Sequence, residues 1–175
     1  MMFFCGCARE DSGLQKALDL RSLLLSRGQY GFSVDVTCDY GESVFAFSAD
    51  CITQEDGVRI RLTQPETLSG IEAFCGREDV GILFDDTLVS LGKLADGNLA
   101  PLQAPYLFRK ALESEYISCT GRDADALRVT YLLGYDDEEL QLDVWLDEKN
   151  NLPLRAEITY EGRSVLRALI TDFTT

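Results

Sequence analysis

Few residues are equipped for chemistry. Ser90-Leu91-Gly92-Lys93 has the Ser-x-x-Lys spacing in which a lysine takes the proton of an acylating serine. The companion Ser-Asp-Asn and Lys-Thr-Gly elements are absent, and Gly92 behind a strand-like run reads as a turn. Asp136-Asp137-Glu138-Glu139 could gather oxygen around calcium but lacks the spaced order of a calcium loop, so it reads as a solvated hairpin turn. With 30 Asp and Glu, a glycosidic carboxylate pair would depend on their separation in space, and no motif singles one out. The 175 residues include no histidine, which removes Ser-His and Cys-His nucleophiles, His-ligated zinc and the usual base near neutral pH. The expectation is a protein that is not an enzyme, with no catalytic residue, no metal site and no cofactor.

The remaining candidates are cysteines. Six of them allow fifteen full pairings, and no spacing is Cys-x-x-Cys. Cys38, Cys51, Cys75 and Cys119 lie far apart in strand-like runs, where a free thiol behaves as a small buried hydrophobe. Cys7 differs. Met1 to Cys7 is an apolar stub ending in Gly6-Cys7, and it precedes the polar stretch Ala8 to Gly13. Gly6 before Cys7 resembles the lipobox of bacterial lipoproteins, where the small residue fits the signal peptidase and the cysteine takes the lipid. A basic leading region and a longer apolar run are missing, and Phe4 replaces the usual leucine. Residues 1–10 are therefore expected to be a truncated signal segment with Cys7 as the lipidation site, and residues 11–175 a single domain. No run approaches the roughly 18 apolar residues of a membrane span.

A net charge of -14, from 16 Lys+Arg against 30 Asp+Glu, repels phosphate backbones and makes nucleic acid a poor partner. With 46% hydrophobic residues, the chain can bury a core as one domain.

The elements that must position any site follow from periodicity. Asp11 or Ser12 can cap a helix carrying Leu14, Ala17, Leu18, Leu24 and Leu25, which stops at Gly28. From Tyr30 the period becomes two. Folding the turn at Gly41-Glu42 sets Phe32 opposite Cys51, Val34 opposite Ala49, Val36 opposite Phe47 and Cys38 opposite Phe45, so Cys38 and Cys51 should not bond each other. Ser33 then meets Asp50 and Asp35 meets Ser48 on a polar second face. Val58, Ile60 and Leu62 continue inward, with Arg59 expected across from Asp50.

Val80, Ile82 and Phe84 should pair with Leu91, Val89 and Thr87. In the last third, Leu127, Val129, Tyr131 and Leu133 oppose Leu146, Val144, Leu142 and Leu140, which oppose Leu154, Ala156, Ile158 and Tyr160. A three-residue turn at Glu161-Gly162-Arg163 brings back Leu166, Ala168 and Ile170, while Trp145, Arg128 and Arg155 cluster outside. A second helix is expected from Pro105 to about Ser114, opened by its proline.

About ten or eleven antiparallel strands with one apolar face must curl around that face. The expected fold is mainly β (α+β): an incomplete antiparallel barrel with two helices over its concave side. Phe32, Val34, Val36, Phe45, Phe47, Ile60, Leu62, Ile82, Phe84, Leu142 and Val144 form the inward stripe. Two short helices fall short of covering ten strands spaced about 4.8 Å apart, so these residues are the candidate ligand-binding or partner-binding surface, the alternative being a core that the helices fill.

The pattern resembles the LolA/LolB superfamily of lipoprotein carriers and its Gram-positive lipoprotein relatives of the GerS kind, over roughly residues 14 to 173. The resemblance rests on the leading helix with Tyr30-Gly31-Phe32, on Arg61 to Ile71 (Arg-Leu-Thr-Gln-Pro-Glu-Thr-Leu-Ser-Gly-Ile), on Leu142 to Asp147, on Leu152 to Ile158 and on Ile170 to Phe173. It implies an extracytoplasmic envelope protein whose concave apolar face holds a lipid acyl chain or another hydrophobic ligand, tethered to the membrane through Cys7. The alternative it leaves open is a scaffold lipoprotein that binds an envelope or sporulation protein.

Overall fold

The structure is a computed structural model that describes residues 10–77, 80–84, 87–90, 100–133 and 140–175. Its elements are α1 (Glu10–Arg27), β1 (Gly31–Asp39), β2 (Val44–Gln54), β3 (Gly57–Gln64), β4 (Glu72–Gly76), β5 (Val80–Phe84), β6 (Thr87–Ser90), α2 (Ala104–Glu113), β7 (Tyr116–Asp123), β8 (Ala126–Leu133), β9 (Leu140–Asp147), β10 (Pro153–Tyr160) and β11 (Arg163–Thr174). All 11 strands form one antiparallel sheet in the order β6-β5-β4-β3-β2-β1-β11-β10-β9-β8-β7. β6 and β7 end the sheet without meeting, so the barrel is incomplete, as expected.

The curl follows from what α2 touches. This helix of 10 residues packs on both β3 and β8, which stand six places apart in the sheet. Laid flat, those strands would be about 29 Å apart, whereas the helix is only about 15 Å long. The sheet therefore bends until its inward side chains share one apolar cluster with the two helices.

Alternation selects the inward face. The β1–β2 register pairs Phe32 with Cys51, Val34 with Ala49, Val36 with Phe47 and Cys38 with Phe45. The β8–β9 register pairs Leu127 with Leu146, Val129 with Val144, Tyr131 with Leu142 and Leu133 with Leu140. Both match the sequence reading pair for pair. So do Ile82 with Val89 and Phe84 with Thr87, whereas Leu91 lies outside the described residues.

Four local expectations are corrected. Asp50 pairs with Arg61, not Arg59, because the β2–β3 hairpin turns at Glu55-Asp56; Arg59 opposes Ile52 and reaches Glu72 at 2.6 Å. Leu154 is the extra residue of a β10 bulge, so Pro153 takes the inward place opposite Leu146 and Leu154 points out. The β10–β11 turn has two residues, Glu161 and Gly162, both at positive φ, and Tyr160 pairs with Arg163. Cys119 is exposed because β7 is an edge strand, whereas Cys38, Cys51 and Cys75 are buried; all four thiols are free.

The helices are set by small residues as much as by leucines. Gly13, Ala17, Leu20 and Leu24 form the buried face of α1, while Leu14, Leu18 and Leu25 are exposed, contrary to expectation. A Cβ at Gly13 would come 2.8 Å from Thr120 Oγ1, so glycine lets the helix settle onto β7. Asp11 and Ser12 fall inside the helix rather than before it. The helix ends where the Gly28 amide, at φ +71, bonds Leu24 O at 3.0 Å. In α2, Pro105 occupies the first turn, and Ala104, Phe108, Ala111 and Leu112 face the core.

Candidate functional site

The two helices close one end of the curled sheet. Arg109 of α2 donates to Gly57 O at 2.8 Å in the β2–β3 turn. Lys16 of α1 donates to Glu148 O at 3.1 Å beside the β9–β10 turn, and Asn151 Nδ2 donates back to Lys16 O at 2.8 Å. Arg21 spans the helices, donating to Leu112 O, Ala111 O and Glu115 O and so satisfying carbonyls at the end of α2. Phe108 meets Phe32 edge-on with ring centroids 5.1 Å apart.

At the opposite end lie the β1–β2 and β10–β11 turns, brought together where Arg163 approaches Asp39 at 3.6 Å. Between the two ends the concave face changes character. Along β2 the inward residues are exposed by 0% at Thr53, 2% at Cys51, 1% at Ala49, 9% at Phe47 and 48% at Phe45. Thr53 sits dry because its hydroxyl and amide both bond the Tyr30 backbone at 2.9–3.1 Å. Phe45 continues the same side of the strand into an apolar rim. Tyr40 lies beside it with centroids 6.0 Å apart and the rings tilted by 56°, and Leu140, opposite Tyr160, packs on the core from across the sheet.

The candidate stripe therefore divides. Phe32, Val34, Val36, Ile60, Leu142 and Val144 are buried toward the helices; Phe47 and Leu62 are buried nearer the rim; Ile82 is half-buried and Phe45 exposed. The Phe84 side chain lies outside the described residues. Leu140 and Tyr160, placed on the apolar face by the sequence, were not among the candidate ligand-binding residues, and Tyr40 was missed although it extends the β1 alternation. Among these described residues the rim is apolar and can hold apolar groups.

Thiols and phenols along the face are held neutral. Burial pushes Cys38 up to about 11, with Tyr40 as its hydrogen-bond neighbour, and Cys75 up to about 12. Burial, together with the nearby Glu113 carboxylate, raises the Tyr30 phenol far above its ordinary value. Among the described residues no three Cys, Asp or Glu side chains gather as metal ligands. Ser90 has no described side chain, and Lys93, Cys7 and residues 136–139 lie outside the described residues.

Two polar clefts flank the helices. One, of about 480 Å³, lies between α2 and the β2–β3 turn and is lined by Glu55, Arg77, Tyr106, Arg109, Lys110 and Glu113. Part of its charge is matched, Arg109 pairing with Glu113 at 3.0 Å inside the cleft and Lys110 with Glu115 at 2.7 Å beside it, while the Arg109 bond to Gly57 O ties α2 to the sheet. The other, of about 310 Å³, lies beside the start of α1 and contains the Arg122–Glu148 pair at 2.8 Å. On the convex face, Arg155 covers the Trp145 ring at 4.1 Å.

No protein-family model and no curated protein matches the chain. Solved structures do. An outer membrane lipoprotein-sorting protein domain from Vibrio parahaemolyticus is 11% identical, covering 93% of this chain and 92% of its own, with a TM-score of 0.49. LolA superfamily protein NE2245 from Nitrosomonas europaea is 12% identical, with coverage of 94% and 92% and a TM-score of 0.46. The structure of the CwlD amidase from Clostridioides difficile in complex with the GerS lipoprotein matches at 12% identity, with coverage of 100% and 99% and a TM-score of 0.44. The matched structures thus include ones named for the LolA superfamily and for the GerS lipoprotein.

Proposed function

We propose that the chain is an extracytoplasmic, membrane-tethered binding protein that takes the acyl chain of a lipid, or a ligand of like shape, into the rim end of its half-barrel. The observation that carries this reading is the rise in exposure along one side of β2, from Ala49 through Phe47 to Phe45, at the end of the sheet away from both helices. A half-exposed Phe45 beside Tyr40 leaves apolar area in water, and covering it with an acyl chain gains about 25 cal/mol per Å². The helix-bearing end supplies the rigid floor, and the inward residues beyond Phe47 set how far a chain can enter.

Cys7 carries the lipid anchor in this reading. Two residues separate it from Glu10, the start of α1, so three extended steps hold the helix-bearing end within about 10 Å of the bilayer surface. The rim then faces away from the membrane, where it meets a ligand delivered from elsewhere. A tethered receptor fits this arrangement better than a soluble shuttle. Mass spectrometry of lipids extracted from the purified protein, with titration of a fluorescent fatty acid, tests the proposal. Saturable uptake that an unlabelled fatty acid displaces supports it, and a protein that neither retains lipid nor binds the probe ends it.

A further inference from the structure

β7 ends the sheet, and its 8 residues pair only with β8. The Asp123–Ala126 pair closes a two-residue hairpin. Such a closing pair is hydrogen-bonded, and antiparallel pairs alternate from there. Asp123 and Gly121 therefore turn their peptide groups toward β8, and Arg122 and Thr120 turn theirs away. Among the described residues no group bonds those outward amides and carbonyls.

A bare edge of this length is normally guarded by lysine, proline or inward charge. β7 has neither lysine nor proline, and its guard is a single bulge at Ser118. Its charges, Arg122 and Asp123, stand at one end and are already paired with Glu148 and Arg155. Tyr116 at the other end is 67% exposed.

α1 runs beside this strand, with Gly13 against Thr120 and Arg21 donating to Glu115 O at 2.6 Å. Leu14, Leu18 and Leu25 fall within about 40° of one another around the helix, next to Arg21 and off its buried face. A row of unpaired peptide groups is thus bordered by an apolar strip. Of the acids at the ends of β7, Glu115 is paired with Lys110 and Asp123 with Arg155, which leaves the Asp125 carboxylate at the turn, on a chain of net charge -14.

We propose that the β7 edge takes up an extended segment of a partner protein as a twelfth strand. The segment carries alternating apolar residues that lie on Leu14 and Leu18, with basic residues at its ends. Backbone bonds to Thr120 and Arg122 supply affinity, while the leucines, Asp125 and the net charge of -14 supply selection. A second copy of this chain would bring a net charge of -14 against the same charge, so charge favours the basic segment. This inference is independent of lipid uptake at the rim.

The probe is a synthetic peptide of alternating valine and threonine flanked by lysine pairs, added to the full chain and read by residue-resolved amide exchange. Exchange at Thr120 and Arg122 should slow by about tenfold or more, while Gly121, already bonded to β8, changes little. Leu18→Lys, on the exposed side of α1, should weaken the peptide by about tenfold with unchanged thermal unfolding. A glutamate-flanked peptide should not bind. Unchanged exchange at Thr120 and Arg122 overturns the proposal, as does a Leu18→Lys variant that binds equally well. A dimer in light scattering whose Thr120 amide is protected without peptide assigns the edge to a second copy instead.

Discussion

Asp123 and Trp145 stand 22 positions apart and are joined by an indole N–H donating to the carboxylate at 2.7 Å. The same carboxylate oxygen accepts from Arg155 at 3.2 Å, and Arg155 covers the ring, so three strands are tied together on the convex face. Trp145 is the single tryptophan of the chain, which makes its emission a reporter of this knot. Asp123→Ala is expected to shift that emission and to cost about 1–2 kcal/mol in denaturant unfolding. An unmoved spectrum would mean that the bond is not populated in solution.

At the rim, Phe45→Ser should leave stability within about 1 kcal/mol, since half of the ring is already in water, yet weaken fatty-acid uptake. Phe47→Ser should cost more, up to the roughly 3–5 kcal/mol of a buried aromatic, and also reduce uptake. Ile60→Ala, deep beside the helices, should cost about 2–5 kcal/mol without altering the affinity of the protein that remains folded. Equal effects of Phe45→Ser and Ile60→Ala on binding would remove the directionality of the proposed site.

The cysteines divide by reactivity. Because the thiolate is the nucleophile, burial that pushes Cys38 to about 11 and Cys75 to about 12, and Cys51 higher still, leaves these thiols inert near pH 8. Of the four described cysteines, native alkylation followed by peptide mapping should mark Cys119 alone, and unfolding should release the rest. A Cys38–Cys51 disulfide in the non-reduced map would contradict the β1–β2 register.

Gly57 and Gly121 make a matched pair for a packing test. A Cβ at Gly57 would lie 2.4 Å from Cys75 O and 2.6 Å from the Phe74 ring, whereas one at Gly121 meets nothing within 4 Å. Gly57→Ala should lower thermal stability by about 1–3 kcal/mol, and Gly121→Ala should be neutral or slightly stabilising. Similar melting temperatures would mean that the β2–β3 turn can move away from β4.

Asp147 shapes the β9–β10 turn, accepting from the amides of Lys149 at 2.8 Å and Asn150 at 3.0 Å. These bonds favour the carboxylate and hold its pKa below the ordinary value of 3.8. A depressed folded-state pKa means that the contribution is present above about pH 3.8 and is lost as pH falls through the lower folded value. The Lys149 and Asn150 amide resonances should therefore titrate on that acid limb and lose the transition in Asp147→Asn.

Alternation made most of the sheet legible, because a one-residue slip would turn Phe32, Val34 and Val36 into water. It failed where an extra residue enters. The Leu154 bulge flips one position, and the turn at Glu55-Asp56 moves the partner of Asp50 by two while preserving the face. The face of α1 was read in part: Ala17 and Leu24 are buried as expected, but leucines ring the helix, and the close approach to β7 belongs to Gly13, which carries almost no hydropathy signal. The rim was only half legible: Phe45 belonged to the inward set, but period cannot say which end of that set the helices cover.

The pairing of β1 with β11 has a consequence for how the chain acquires its shape. Gly31 and Thr174 are 143 positions apart, yet this seam alone joins the β1–β6 meander to the β7–β11 meander. Each meander can assemble from hairpin contacts as it emerges, but closing so long a loop comes late and slowly. Until β11 arrives, β1 and β10 are both raw edges, and each half-made sheet presents a row of unpaired peptide groups to any neighbour. Loss of the last dozen residues would therefore act less as a trimmed terminus than as an arrest of assembly, leaving two half-sheets prone to stick to each other between molecules.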